Sequence, residues 1–179
     1  MRLRLLFGAP STSGSPSDYV HNFDSGAAIP PWNSIDLDLS SALTNRYSLL
    51  TDVRGGDLQI DFSPNGPATA RISIIGKGET TSGSASSGTP TTVAGDNFSR
   101  SMGSISRGGS ALGQVTGGTL TYSNNLEAVR TIRADRLIEG TDPGIASASG
   151  EIRMRLSSDA EALIADAEDN TPFELDFRL

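Results

Sequence analysis

The run Asp57-Leu-Gln-Ile-Asp-Phe-Ser63, the cluster Pro64-Asn-Gly-Pro67 and the run Thr69-Ala-Arg-Ile-Ser-Ile-Ile-Gly-Lys77 decide the fold class. Leu58, Ile60 and Phe62 fall on every second position, and so do Ile72 and Ile74. A strand turns successive side chains to opposite faces, so this spacing marks two strands with one face buried. The Pro/Asn/Gly cluster between them has the chemistry of a turn. The whole reads as a β-hairpin.

The same period recurs on both sides. In Ser34–Ser40, Ile35, Leu37 and Leu39 alternate with Asp36 and Asp38. Leu120 and Tyr122 share a face in Gly118–Ser123, and Asn124-Asn125 then fits a turn because Asn tolerates positive φ. Ala128–Leu137 mixes apolar and basic residues and is expected as another strand; Gly140–Gly144 reads as a loop. Glu151–Ser157 places Ile152, Met154 and Leu156 on one face, and Phe173–Leu179 does the same with Phe173, Leu175, Phe177 and Leu179. One helix is expected: Ser158-Asp-Ala-Glu161 has the capping-box spacing, and Ala160, Leu163, Ile164 and Ala167 form an apolar stripe before Asp169-Asn170 and Pro172. The expected class is mainly β, an antiparallel β-sandwich or flattened barrel with one α-helix and long Gly/Ser-rich loops.

The length, 179 residues, suits one domain. With 14 Lys+Arg against 21 Asp+Glu, the formal net charge of −7 gives no general attraction for nucleic acid, since phosphate binding rests on cationic side chains. An acidic wall facing DNA would repel it. The absence of cysteine excludes disulfides, thiolate metal sites and Cys nucleophiles. No apolar run has the length of a membrane span. Met1–Phe7 resembles the start of a signal peptide, but its apolar part stops before Gly8-Ala9-Pro10, so it reads as the end of a strand or helix and no secretion is expected.

Residues 78–113 differ from the rest. Gly78–Thr92 carries almost no apolar side chain and cannot offset its ordering entropy by burial. Val93, Phe98, Met102 and Ile105 are the few anchors in the tract. An arm that docks on a neighbouring subunit has this composition, and so does a plain linker. The expected organisation is an N-terminal segment and loop over residues 1–33 and a β domain over residues 34–179, with the long loop or arm at 78–113.

Catalytic constellations are missing. His21 is the only histidine, in an expected loop with Asp18 and Asp24, and its plain reading is a hydrogen-bonded loop residue rather than a base or metal ligand. Asp36 with Asp38, and Asp57 with Asp61, have the look of glycosidase pairs, yet acids alternating with apolar residues are ordinary on a solvated sheet face. The four are read as acids facing solvent or lining a pore. Gly108-Gly109 and Gly117-Gly118 lack the following Lys-Ser/Thr of a phosphate loop. Arg130, Arg133 and Arg136 are read as salt-bridging, with a subunit contact second. Trp32, Tyr19 and Tyr47 are the candidate platforms of a carbohydrate-binding module; Trp32, after Pro30-Pro31, is read instead as anchoring a loop on the core. The chain is expected to be no enzyme and to hold no cofactor or metal.

Four stretches resemble the tail tube proteins of long-tailed, siphovirus-type bacteriophages: Tyr19–Ser25, the hairpin Arg54–Gly66 with Ala70–Gly78, Gly118–Glu127, and Gly150–Leu156 with the helix and final strand. Members of that family often carry a further N-terminal half, so the chain is expected to be a short form or a truncated piece. The resemblance implies a virion protein assembled in the bacterial cytoplasm. It implies hexameric rings stacked into a hollow tube, each subunit adding strands to a continuous inner barrel. The implied partners are sister copies and other tail proteins (tape measure, terminator, baseplate). DNA passes through without specific binding, and no membrane is involved. A tail terminator or baseplate ring is the alternative within the virion. If the 78–113 tract is an assembly arm, removing residues 80–110 blocks polymerisation and leaves the β core folded; unchanged tubes in electron micrographs refute the assignment.

Overall fold

A computed structural model describes residues 3–16, 18–26, 30–43, 46–63, 66–88, 103–135 and 137–178. In chain order its elements are α1 (Arg4–Phe7), β1 (Ser11–Ser15), β2 (Asp18–Asn22), β3 (Asn33–Asp38), β4 (Tyr47–Phe62), β5 (Thr69–Ser82), β6 (Ser104–Arg107), β7 (Ser110–Ala111), β8 (Val115–Ser123), β9 (Glu127–Val129), β10 (Gly140–Asp142), β11 (Ser147–Met154), α2 (Ser158–Glu168) and β12 (Leu175–Arg178). The fold is mainly β and antiparallel, as the alternation requires. A five-stranded sheet has the order β11-β8-β4-β3, with β5 also paired to β4. The others are the ribbons β1-β2 and β9-β10 and the three-stranded sheet β12-β6-β7.

Two compact units emerge, one of Met1–Leu58, Ile72–Val93 and Tyr122–Ala148, the other of Gln59–Arg71, Ala94–Thr121 and Ser149–Leu179. In the first unit the organising element is β4, which is 16 residues long and begins at Tyr47, well before the alternating run that announces it. The earlier half escapes the pattern because a bulge breaks it. Ile35 pairs with Leu50, but Asn33 pairs with Val53, and Asp52 takes a positive φ of 51° between them. Beyond the bulge Val53 is fully buried and Gly55 lies beneath α1. A Cβ at Gly55 would come 2.9 Å from the Leu5 carbonyl oxygen, so only glycine lets the helix backbone approach so closely.

α1 drives Leu6 into this contact at 1% exposure. The buried Asn124 amide fastens it, donating to the Leu6 carbonyl at 2.9 Å and to the Gly55 carbonyl at 3.3 Å, while its backbone N–H donates to Gly56 at 2.9 Å. Asn125 follows at φ 46°, the turn geometry expected there. Phe7 packs on Tyr122 with ring centroids 4.6 Å apart. Residues before position 34, expected as a leading segment, thus share a core with β4.

The hairpin partner β5 continues to Ser82, further than its apolar pattern. Ser73 bonds Asp57, and Thr51 bonds the Gly78 carbonyl. Ile72 is half-buried, but Ile74, expected on the same inner face, is 38% exposed. Asp18–Asn22, expected as a loop, is β2, zipped to β1 over five residue pairs. The strand expected over 128–137 shrinks to β9, because Arg133 pairs with Asp135 at 2.7 Å and Glu139 at 3.8 Å in a loop that returns as β10.

In the second unit, β12 pairs with β6, setting Phe177 opposite Ile105, and Phe177 stacks on Phe62 at 5.5 Å. β12 starts at Leu175, leaving Phe173 exposed outside the strand. The cap of α2 is Ser157, not Ser158: Ser157 is extended and its hydroxyl accepts from the Ala160 N–H at 3.3 Å. The packed face holds only part of the expected stripe: Ala160 and Leu163 are half-buried beside Asp159 and Asp166, and Ala167 is exposed. Asp159 accepts from the Gly113 N–H, Asp166 pairs with Arg107, and Ile164 is left 52% exposed.

Among the described residues the buried hydrophobics are Leu6, Val53 and Leu58. Leu6→Ala removes a side chain from this small core and costs about 3 kcal/mol in urea unfolding, whereas Leu3→Ala, at a 40% exposed site, costs about 0.5 kcal/mol or less.

Candidate assembly surfaces

Among the described strands β5 is hydrogen-bonded along one side. Its 14 residues pair with β4, and among the described strands they pair with no other. Its outer side therefore presents a row of free N–H and C=O groups, the template on which a further strand adds. Among the described strands β11 likewise pairs with β8 alone, and β3 with β4 alone.

Several large apolar side chains outside the strands are exposed. In the first unit Ile132 and Ile145 are almost wholly in solvent, and in the second Leu156 and Phe173 are exposed. Scattered exposed hydrophobics are ordinary on any protein; among the described residues they outnumber the buried ones, Leu6, Val53 and Leu58.

The four acids singled out by the sequence are all engaged. Asp36 Oδ2 accepts from the Ser86 N–H at 2.8 Å and from the Ser87 N–H and hydroxyl at 3.0 Å. Its pKa is lowered, first by the Ser87 amide. It thereby ties the Ser/Thr-rich tract to β3 close to where that tract leaves β5. Asp38 accepts from the Ser40 N–H at 2.9 Å and from the Ser40 hydroxyl, a local turn that ends β3 and lowers its pKa. Asp57 Oδ1 accepts from the Ser123 hydroxyl at 2.5 Å and Oδ2 from the Ser73 hydroxyl at 2.6 Å, so it bridges β8, β4 and β5. The Ser123 bond is the larger cause of its lowered pKa. Asp61 accepts from the Gln59 amide at 3.2 Å. The four do not converge on one point: Asp36 and Asp38 belong to β3, and each acid has its own partners.

Of the expected arm anchors, Val93, Phe98 and Met102 lie outside the described residues. Ile105 lies within a folded sheet rather than on an arm, because cross-strand packing on Phe177 holds β6 against β12. With Phe62, Leu112, Val115 and Phe177 it lines a cavity of about 370 Å³ in the second unit. The β1-β2 ribbon and this cavity are features the sequence reading missed. Gly14 near the end of Ser11–Ser15, and Pro16 just after it, are the turn signal that marks the ribbon.

His21 pairs locally. Its Nδ1 lies 2.8 Å from the Thr12 hydroxyl, and its ring stacks on Tyr19 at 6.3 Å. Among the described residues no three His, Asp or Glu side chains cluster as metal ligands. Trp32 is flanked by the Arg54 guanidinium at 3.9 Å and Lys77 Nζ at 4.5 Å. A sugar needs that ring face bare, so cations covering it weaken the carbohydrate-module alternative.

The family model described as phage tail tube protein matches residues 2–179. The chain belongs to the phage tail tube proteins. No curated protein matches it. A tail tube protein is a structural component of the bacteriophage virion. Among the described residues no helix is long and apolar enough to cross a membrane.

Asp57 carries the stability prediction. Asp57→Ala removes a charged acceptor shared by two hydroxyls and costs about 2 kcal/mol at neutral pH. Because its folded pKa lies below the ordinary 3.8, that contribution is complete above about pH 4 and is lost as pH falls through the lower folded value. Urea unfolding of both proteins from pH 7 to pH 2 should show the difference between them shrinking only in acid.

Proposed function

We propose that the chain assembles into stacked, hexameric rings that form the hollow tail tube and conduct DNA during ejection. The observation that carries this reading is the long bare edge of β5 in a tail tube family member. Adding a strand from a sister copy satisfies that edge, and closing the ring leaves no edge open. Ring contacts are heterologous and stacking requires a second interface, so one chain must carry several sticky surfaces.

The formal charge of −7 supports a conduit that does not hold DNA. Asp36, Asp38, Asp57 and Asp61 are assigned to surfaces facing the lumen or solvent, where their charges add to that repulsion. Within the 78–113 tract, Val93, Phe98 and Met102 are assigned to contacts with neighbouring subunits, and Asp36 holds Ser86 and Ser87 of the same tract. Tape measure, terminator and baseplate proteins are the remaining partners, and assembly takes place in the host cytoplasm before the tail joins the virion.

Negative-stain micrographs of the concentrated protein test the reading. Open-ended tubes of stacked six-fold rings are expected. Single rings that never extend would reassign the chain to a terminator or baseplate position, and single particles at every concentration would overturn it.

A further inference from the structure

We propose that the β1-β2 hairpin of one copy seats Tyr19 in the apolar cavity of the second unit of a neighbouring copy. The proposal rests on the tube assembly above and names two of the surfaces that meet.

The hairpin is built but unused. All of its residues are exposed on both strands, with Tyr19 and Val20 at 54% and 51%. An isolated two-stranded ribbon is marginal in water, since nothing offsets the ordering of its backbone. This one is nonetheless pre-shaped. Gly14 takes φ 103° and packs against the Asp18 carbonyl so tightly that any Cβ would clash. Thr12 and His21 are joined across the strands, and Tyr19 stacks beside His21. Tyr19 therefore stands next to the tip with one acid, Asp18, at its flank.

The cavity is its complement. It lies wholly within the second unit, holds about 370 Å³, and is lined by Phe62, Ile105, Leu112, Val115 and Phe177. The stacked Phe62 and Phe177 rings offer an aromatic wall for a tyrosine ring, whose hydroxyl stays at the wet mouth. Arg178 at the rim is 75% exposed and bonded to Asp176 at 2.8 Å, leaving donors for a second carboxylate such as Asp18.

A second copy is the occupant for two reasons. The chain belongs to a family whose product is a tube, so neighbouring copies are the abundant partner. The knob and the hole are different surfaces, and a heterologous contact propagates from copy to copy rather than closing as a pair.

The chain has no cysteine, so crosslinking is clean. Thr12→Cys, on the Tyr19 face of the hairpin, is combined with Ala111→Cys at the cavity, and the assembled protein is treated with a short bis-maleimide. A ladder of dimers and higher multimers is expected. Tyr19→Ser should raise the concentration needed for assembly about ten-fold with an unchanged circular dichroism spectrum, and Tyr19→Phe should restore it. Rings or tubes without a ladder, or crosslinks confined to single chains, overturn the docking and leave the tube reading standing. Wild-type protein that never assembles overturns both.

Discussion

Among the described strands β5 has a partner on one side and none on the other, and the rest of the assembly account follows from that asymmetry. A backbone N–H or C=O away from a partner must be met by water or by another strand. Over 14 residues such an edge is a standing invitation to pair. A free-living protein blunts edges of this length; a tube subunit has reason to keep one. The same strand is fixed from within by the Asp57 bridge to Ser73 and Ser123 and by Thr51 on Gly78, so the edge is presented in one geometry.

What holds a single copy together is correspondingly modest. Leu6, Val53 and Leu58 form the buried apolar centre, and much of the remaining order comes from polar fastening. Asn124 clips α1 to β4, Ser157 caps α2, and Arg107 grips Asp166. Apolar burial is the dominant favourable term in folding, so under the proposed assembly, covering the exposed isoleucines and aromatics would add stability.

The β class, the β4-β5 hairpin, the Asn124-Asn125 turn and the existence of α2 were legible because each rests on a local rule. Alternation, turn residues and capping chemistry act within a few positions. What was hidden depends on distant partners. The Asp52 bulge breaks the alternation that would reveal the first half of β4. The face that α2 packs is turned toward Arg107 and Gly113, far away in sequence, so Ala160 and Leu163 of the stripe are half-buried while Ile164 is left outside. The acids on β3 and β4 were legible as polar positions, but their hydroxyl and amide partners were not. The β1-β2 ribbon was hidden because its residues bury nothing and leave no periodic trace.

The most direct test of the central claim is amide hydrogen exchange across residues 69–82, compared between dilute subunits and assembled particles. If sister copies complete the β5 edge, amides along that strand exchange quickly in the subunit and become protected on assembly. Equal protection in both states would mean the edge is already covered by its own chain, and would contradict the account.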